Sequence, residues 1–191
     1  VAGGGVQYSG AVAELTAFAE NHNIPVVETI AGRANMLATH PLNTGPLGVT
    51  GSDSANTIAS KADVVLAVGT RLQDFTTGSW TVFAPDARLI GLNAGRHDAA
   101  KHRSVTVVGD ARLGLQTLGD ALGDYRAPAE WTETAQKERN LWDDYVVANV
   151  AVGKEPHVHI LERVDTDVGE RELEADEVVD RVVLPLEALL H

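Results

Sequence analysis

Five short clusters of glycine, polar and charged residues each follow an apolar run, and these clusters could bind a ligand. They are Gly3-Gly4-Gly5, Glu28, Gly69-Thr70-Arg71, Asn93-Ala94-Gly95 and Gly109-Asp110. Glycine lets a ligand approach the backbone closely, and helix N-termini attract phosphate. Arg71 directly follows a strand-like run, and its guanidinium could hold a phosphate through two hydrogen bonds. The clusters therefore predict a groove for a nucleotide-like ligand, although tight strand-to-helix turns would explain the same residues. The predicted contact residues are Gly4, Gly5, Gly69, Thr70, Arg71, Asn93 and Asp110.

Two known nucleotide-binding motifs match the chain only in part. Gly3 and Gly5 fit the start of G-x-G-x-x-G, and Glu28 lies near the expected ribose-binding acid, but Tyr8 stands where the third glycine allows close packing. Residues 5–10 also fit the start of a P-loop, yet Ala11-Val12 replaces its Lys-Ser/Thr pair. These departures argue against a nicotinamide dehydrogenase and exclude P-loop ATP hydrolysis.

Residue patterns for catalysis or metal binding are sparse. The chain has no cysteine, which excludes disulfides, thiolate metal sites and a cysteine nucleophile. It contains neither G-x-S-x-G nor H-E-x-x-H. His157 and His159 lack a third ligand at fixed spacing, and we interpret Trp131 and Trp142 as packing residues. A polar cluster is interpreted as a solvated turn: His97, Asp98, Lys101 and His102. We therefore assign no catalytic residue and no metal ligand.

The elements that must position these clusters alternate between apolar runs and amphipathic stretches. Unbroken apolar runs suit strands covered on both faces, as in a parallel sheet. Strands are predicted at residues 24–27, 64–68, 88–92 and 105–108, and helices at 10–21, 52–61, 111–122 and 128–150. The order predicts an α/β fold with a doubly wound parallel sheet, whose ligands bind at the carboxyl ends of the strands.

We divide the chain into a Rossmann-like domain at residues 1–125 and a helical, acidic C-terminal extension at 126–191. Val1-Ala2 is interpreted as the end of a first strand whose beginning is missing. Residues 151–191 carry 11 acidic and four basic side chains, against 16 and 11 in residues 1–150. Within the extension, residues 172–184 have apolar side chains at roughly helical spacing.

The net charge and the hydropathy limit the possible binding partners and the cellular compartment of the chain. The net charge of −12 would repel a phosphate backbone, so we expect no nucleic acid partner. No apolar stretch approaches 18 residues, so no membrane partner is expected, and no signal-peptide pattern is present. A cytoplasmic location is the simplest expectation.

Several motifs resemble the central domain of thiamine-diphosphate-dependent enzymes, the family that includes acetolactate synthase and pyruvate oxidase. The first are residues 48–52 and 62–71. The more specific ones are Val1-Ala2-Gly3-Gly4-Gly5-Val6, the stretch 69–80 (Gly-Thr-Arg-Leu-Gln-Asp-Phe-Thr-Thr-Gly-Ser-Trp) and Asp98-Ala99-Ala100-Lys101-His102. These are most similar to the branch that hydrolyses a C–C bond of a cyclic diketone derived from inositol. The resemblance covers residue 1 to about residue 150.

The resemblance implies a non-catalytic spacer and oligomerisation platform. In the family, thiamine diphosphate and magnesium lie between an N-terminal domain with an activating glutamate and a C-terminal domain with a Gly-Asp-Gly…Asn motif. This sequence contains neither, and Gly109-Asp110-Ala111 lacks the third residue of the motif. We therefore expect both cofactors to belong to the parent family and not to be bound by this chain alone. The implied partners are the missing N- and C-terminal domains and further copies of the chain.

A nucleotide- or FAD-binding module of an acetolactate-synthase-like enzyme is the alternative function. In flavin-binding relatives a Gly-x-Arg turn contacts FAD, and Gly69-Thr70-Arg71 matches it, so FAD or ADP is the alternative ligand. Asn93 stands where relatives often carry Asp, which argues against an adenosine contact. A stand-alone protein with a sirtuin-like or electron-transfer-flavoprotein-like sheet is a third possibility, by fold analogy. After Asn149 the resemblance ends, and the sequence leaves open whether the chain is a cloned fragment or a natural truncation.

Overall fold

Short strands and the Val1-Ala2 segment build one parallel sheet in the computed structural model, which describes residues 1–149. The strands are β1 (Val26–Glu28), β2 (Asn43–Pro46), β3 (Val64–Val68), β4 (Arg88–Asn93) and β5 (Val105–Val108). Ala2 forms parallel bridges to Glu28 of β1 and to Val68 of β3. It thus occupies a strand position between them, and the order across the sheet is β2, β1, Ala2, β3, β4, β5.

This strand order is that of a doubly wound dinucleotide-binding sheet. With Ala2 counted as the first strand, the order becomes 3-2-1-4-5-6. The strands on either side of Ala2 wind outward in opposite directions, so the switch point lies between Ala2 and β3. The predicted α/β fold with a parallel sheet is confirmed.

Helices cover both faces of the sheet. They are α1 (Gly5–Tyr8), α2 (Val12–His22), α3 (Asp53–Lys61), α4 (Asp74–Thr77), α5 (Arg96–Ala99), α6 (Ala111–Leu122) and α7 (Ala129–Asn149), with 3-10 turns at Ile30–Gly32 and Lys101–Arg103. On one face, α2 and α6 bury Leu15, Phe18, Leu115 and Leu118 against the sheet. On the other face, α3 buries Ala55 and Ala59. The Ser52 hydroxyl caps α3 by accepting a hydrogen bond from the Ala55 N–H.

The first half of the long helix α7 packs against the rest of residues 1–149. Ala135 is buried, Glu138 pairs with Lys61 at 3.0 Å, and Arg139 donates to the Asn43 carbonyl at the edge strand β2. Trp131 is half-buried, as expected of a packing residue. No helix in the described part of the chain is long and apolar enough to cross a membrane. The predictions for His157, His159 and residues 172–184 lie outside the described residues.

Candidate ligand site at the carboxyl edge of the sheet

The switch point brings two of the predicted clusters into direct contact. The Gly3 N–H donates to the Val68 carbonyl at 2.8 Å, and the Gly5 N–H donates to the Gly69 carbonyl at 2.9 Å. The turn after Ala2 therefore lies beside the turn after β3. In open α/β sheets, ligands bind in the crevice at this position.

The glycines at the switch point are needed for the approach of one turn to the other. A Cβ on Gly5 would lie 2.6 Å from the Gly69 Cα, and a Cβ on Gly4 would lie 2.9 Å from the Ala31 carbonyl oxygen. A Cβ on Gly3 would collide with the carbonyl of Gly69, which itself has a φ of +59°. Packing between backbone segments thus accounts for these residues before any ligand is considered, and their role as cofactor contacts stays a prediction.

Asn93 ties the turn after β4 to the turn after β3. Its Nδ2 donates to the Thr70 carbonyl at 3.0 Å, and its Oδ1 accepts from the Gly95 N–H at 2.9 Å. Thr70 is buried, and its hydroxyl oxygen accepts from the Leu72 N–H. Both side chains therefore organise the turns that a ligand would meet.

Arg71 is the predicted contact residue whose charged group has no partner within residues 1–149. Its side chain is exposed and has no partner among residues 1–149. Its carbonyl accepts a hydrogen bond from the Lys101 ammonium at 2.6 Å, which fixes the backbone of the turn. The guanidinium is therefore available to an anionic group at the switch point.

Asp110, which follows β5, stabilises the start of the next helix. One carboxylate oxygen accepts from the Arg112 N–H at 2.9 Å and from the Leu113 N–H at 3.1 Å, and so caps α6. The sequence places Asp110 at a strand end, but it does not reveal that the following helix uses this carboxylate.

Glu28 is directed into the protein. The residue is 5% exposed, and its Oε1 accepts from the Met36 N–H at 2.9 Å. Burial raises the pKa of this carboxyl, while hydrogen bonds from Met36 and Asn43 and the Arg33 charge partly oppose that rise. Glu28 thus holds the connection between β1 and β2.

Two residues at this edge were not identified from the sequence. Asn35 is fully buried and donates from Nδ2 to the Gly3 carbonyl at 2.8 Å, which links the β1–β2 connection to the first glycine turn. Lys101 was interpreted as part of a solvated turn, yet it bonds the Arg71 carbonyl and pairs with Asp98 at 2.8 Å. Both contacts join residues about 30 positions apart, so no local pattern marks them.

An apolar crevice of about 100 Å³ lies at the opposite, amino edge of the sheet. Its walls include Leu15, Ile24, Ile58, Val64 and Trp131. Its lining also includes Val27 and Val68, which directly precede Glu28 and Gly69, but its apolar character suits packing better than phosphate binding. Within residues 1–149, no group of three or more His, Asp and Glu side chains could hold a metal ion.

The sheet order and the paired glycine turns define a doubly wound α/β domain with the topology of dinucleotide-binding proteins. The profile of the family described as "Thiamine pyrophosphate enzyme, central domain" matches residues 1–118. The match covers more than half of the chain, so the chain belongs to this family.

Three similar relatives share one enzyme name. A 3D-(3,5/4)-trihydroxycyclohexane-1,2-dione hydrolase from Geobacillus thermodenitrificans is 48% identical over 125 residues, which are 65% of this chain and 19% of the relative. A relative of the same name from Clostridium perfringens is 37% identical over 145 residues, 75% of this chain and 23% of its own length. A hydrolase 1 of this name from Bacillus cereus is 40% identical over 146 residues, 75% of this chain and 22% of its own. The chain thus spans about a fifth of the length of the curated relatives it matches.

Proposed function

We propose that this chain is the non-catalytic central domain of a thiamine-diphosphate-dependent hydrolase that cleaves a C–C bond of 3D-(3,5/4)-trihydroxycyclohexane-1,2-dione. The 48% identity to a hydrolase named for this substrate carries the proposal. The chain would act as a spacer that aligns the two cofactor-binding domains of the parent enzyme. A homo-oligomeric assembly, a cytoplasmic location and a place in inositol breakdown belong to the same proposal.

The described residues do not fit thiamine diphosphate and magnesium by themselves. Magnesium prefers several oxygen ligands in octahedral geometry. Asp110, at the end of β5, has one carboxylate oxygen engaged as a helix cap, and residues 1–149 contain no acidic cluster of sufficient size. The glycines at the switch point fill the space between their own turns. We therefore place both cofactors in other domains of the parent enzyme and assign them no contact in residues 1–149.

A domain exchange tests the spacer role. Residues 1–125 of this chain would replace the corresponding segment of the Geobacillus hydrolase, and turnover of the diketone would be measured with thiamine diphosphate and magnesium. We expect a chimera with kcat within about tenfold of the parent, because matched packing preserves the domain alignment. The same exchange carrying Gly5→Ala should lose its activity at a lower temperature than the unsubstituted chimera, because its sheet is destabilised. A soluble, folded chimera without turnover would contradict the proposal, as would turnover by the 191-residue chain alone.

Arg71 supports a second candidate, a nucleotide- or FAD-binding module. Its guanidinium has no partner among residues 1–149, and it follows β3 at the switch point, where the strand order favours a phosphate-bearing ligand. Calorimetry with FAD, ADP and NAD tests this function. Saturable binding that is lost in Arg71→Ala and kept in Arg112→Ala would support it, whereas no heat with all three ligands would remove it.

A further inference from the structure

The parallel sheet has a gap at its amino edge, between β1 and β3. Strands β1 and β2 form one ladder, and strands β3, β4 and β5 form another. Within residues 1–149, Ala2 makes the bridges that join the two ladders, to Glu28 and to Val68. Both neighbouring strands begin further toward the amino edge, at Val26 and Val64. Residues 1–149 therefore place no strand between the first residues of β1 and β3.

The apolar crevice at the amino edge occupies this gap, which we call the strand slot. Residues 25–27 bound it on one side and residues 64–66 on the other. Helix α2 covers one face of the slot with Phe18, and helix α3 covers the opposite face with Ala59. Strands on both edges and helices on both faces are the surroundings of an interior strand in a parallel sheet.

The pairing of Val1 and Ala2 fixes the register in which a strand would enter the slot. The Val1 amine donates to the Leu66 carbonyl at 2.7 Å, and the Val1 carbonyl accepts from the Val68 N–H at 2.9 Å. The Ala2 N–H donates to the Val27 carbonyl at 2.8 Å. One residue thus bonds β3 and the next bonds β1, as in an interior parallel strand.

The next backbone groups of both neighbours continue this register. Every second residue of a strand presents its N–H and its carbonyl to the same neighbour, so the Leu66 N–H and the Val64 carbonyl face the slot. The Asp63 carbonyl, one position earlier, bonds β4 instead. On the other side, the Val27 N–H and the Pro25 carbonyl face the slot. Two donors and two acceptors are the complement of two further residues in extended conformation, and buried groups of this kind are nearly always paired.

The Val1 nitrogen also fits the position of a strand amide. It lies at hydrogen-bond distance from the Leu66 carbonyl, and burial lowers the pKa of this amine to about 5. A peptide nitrogen would make the same hydrogen bond without a charge to remove from water.

We propose that the strand slot accepts an extended, apolar segment of two residues, joined to the Val1 nitrogen, which continues the Val1-Ala2 strand toward the amino edge. The residue next to Val1 donates to the Pro25 carbonyl and accepts from the Val27 N–H. The residue before it donates to the Val64 carbonyl and accepts from the Leu66 N–H.

The helices on the two faces select apolar side chains at both positions. Successive side chains of a strand point to opposite faces. The residue next to Val1 therefore shares the face of Ala2, which packs in one cluster with Leu15 and Phe18 of α2. The residue before it shares the face of Val1, which packs against the cluster that contains Ala59 of α3. A charged or strongly polar side chain at either position would be buried without a partner.

An occupied slot would anchor the polypeptide on the amino side of Val1 in the middle of the sheet. In the proposed function, on which this consequence rests, a domain on that side is held at the amino edge, opposite the Arg71 turn. The slot itself follows from the backbone register and is independent of the reaction that the parent enzyme catalyses.

Short N-terminal extensions of the full 191-residue chain test the slot. One variant carries two valines before Val1, its matched control carries two serines there, and the reference begins at Val1. We expect the two valines to raise the urea midpoint by about 0.5–1 M, because apolar surface is buried. The two serines should leave the midpoint unchanged or lower it. Equal midpoints for the two extensions would overturn the proposal.

Hydrogen exchange shows whether the valines enter the slot or stabilise the chain elsewhere. The amides of Val27 and Leu66 face the slot, whereas those of Val26 and Gly69 already have backbone partners in residues 1–149. With two valines added, protection of Val27 and Leu66 should rise about tenfold more than that of Val26 and Gly69. Equal gains at all four amides would contradict the slot. Diketone turnover is not measured, so the spacer role and the slot can fail separately.

Discussion

Gly5 and Gly109 both follow parallel strands at the same sheet edge, yet they meet different surroundings. A Cβ on Gly5 would lie 2.6 Å from the Gly69 Cα, whereas a Cβ on Gly109 would find no atom within 4 Å. Gly5→Ala should lower the free energy of unfolding by about 2 kcal/mol, because two backbone segments must move apart. Gly109→Ala should leave it unchanged or raise it by up to about 1 kcal/mol through the unfolded state. Urea denaturation of both variants measures the difference, and equal midpoints would contradict the packing role of Gly5.

Glu28 should make the stability of the protein depend on pH. Burial raises the pKa of this carboxyl, so the folded state holds its proton more tightly than the unfolded state. That stabilisation is complete below the ordinary glutamate pKa and disappears as the pH rises through the raised folded value. Glu28→Gln keeps an oxygen for the Met36 N–H and removes the titration, so its free energy of unfolding should fall less than that of the wild type between pH 5 and pH 8.

Glu133→Gln is the matched control for Glu28, since Glu133 is exposed on α7. Its denaturation midpoints should follow the wild type at every pH. If Glu28→Gln also follows the wild type throughout, Glu28 does not titrate differently in the folded state. Comparison with the wild type is essential here, because the pKa of His102 also departs from its ordinary value, lowered by desolvation and by the Lys101 ammonium.

At the scale of single residues, the sequence predicts where a residue lies better than which contacts its side chain makes. The strand-end rule correctly brought Gly5 beside Gly69, because carboxyl ends of parallel strands share one edge. It could not show that Glu28 is buried, since that depends on how the connection from β1 to β2 folds back. Contacts such as Asn35 to Gly3 depend in the same way on tertiary structure.

At the scale of the elements, the start of helix α6 depends on the carboxylate of Asp110. Asp110 accepts from the backbone N–H groups of Arg112 and Leu113, which have no partner within the first helical turn. Asp110→Ala should lower the free energy of unfolding by about 1 kcal/mol, whereas Asp110→Asn should lower it by a few tenths at most, since asparagine caps nearly as well. Thermal unfolding of the two variants tests this prediction, and equal losses would show that a capping oxygen at position 110 does not stabilise α6.

Among the elements, strands with continuous apolar runs were predicted and the edge strand was not. β3 and β5 agree with the predicted residues 64–68 and 105–108. β2 has the sequence Asn-Thr-Gly-Pro, which resembles a turn in any local pattern. It becomes a strand because it pairs with β1 and because Arg139 of α7 covers its edge. Burial of this kind comes from distant parts of the chain, so sequence propensity did not reveal it.

At the scale of the whole molecule, the second half of α7 presents apolar side chains that stay exposed within residues 1–149. Leu141 and Tyr145 are 56% and 54% exposed, and the Tyr145 ring stacks on Trp142 at 5.5 Å. Leu141 and Tyr145 lie about 120° and 80° around the helix from Ala135, so they form a second stripe beside the one that packs against the body. Asp143 projects about 160° around the helix from Tyr145, so its charge is kept off this stripe, whereas Asp144 lies about 60° from Leu141.

The homo-oligomer within our proposed function should therefore depend on this face of α7. Tyr145→Glu places a charge in the stripe and should shift the chain toward monomer in sedimentation velocity at 0.15 M salt. Val147→Glu is the matched control, because Val147 is 69% exposed but lies about 160° around the helix from Tyr145. Both substitutions add the same charge to a chain of net charge −12, so general repulsion affects them equally. A larger effect of Tyr145→Glu assigns self-association to the stripe, and equal effects would mean that copies of this chain meet elsewhere.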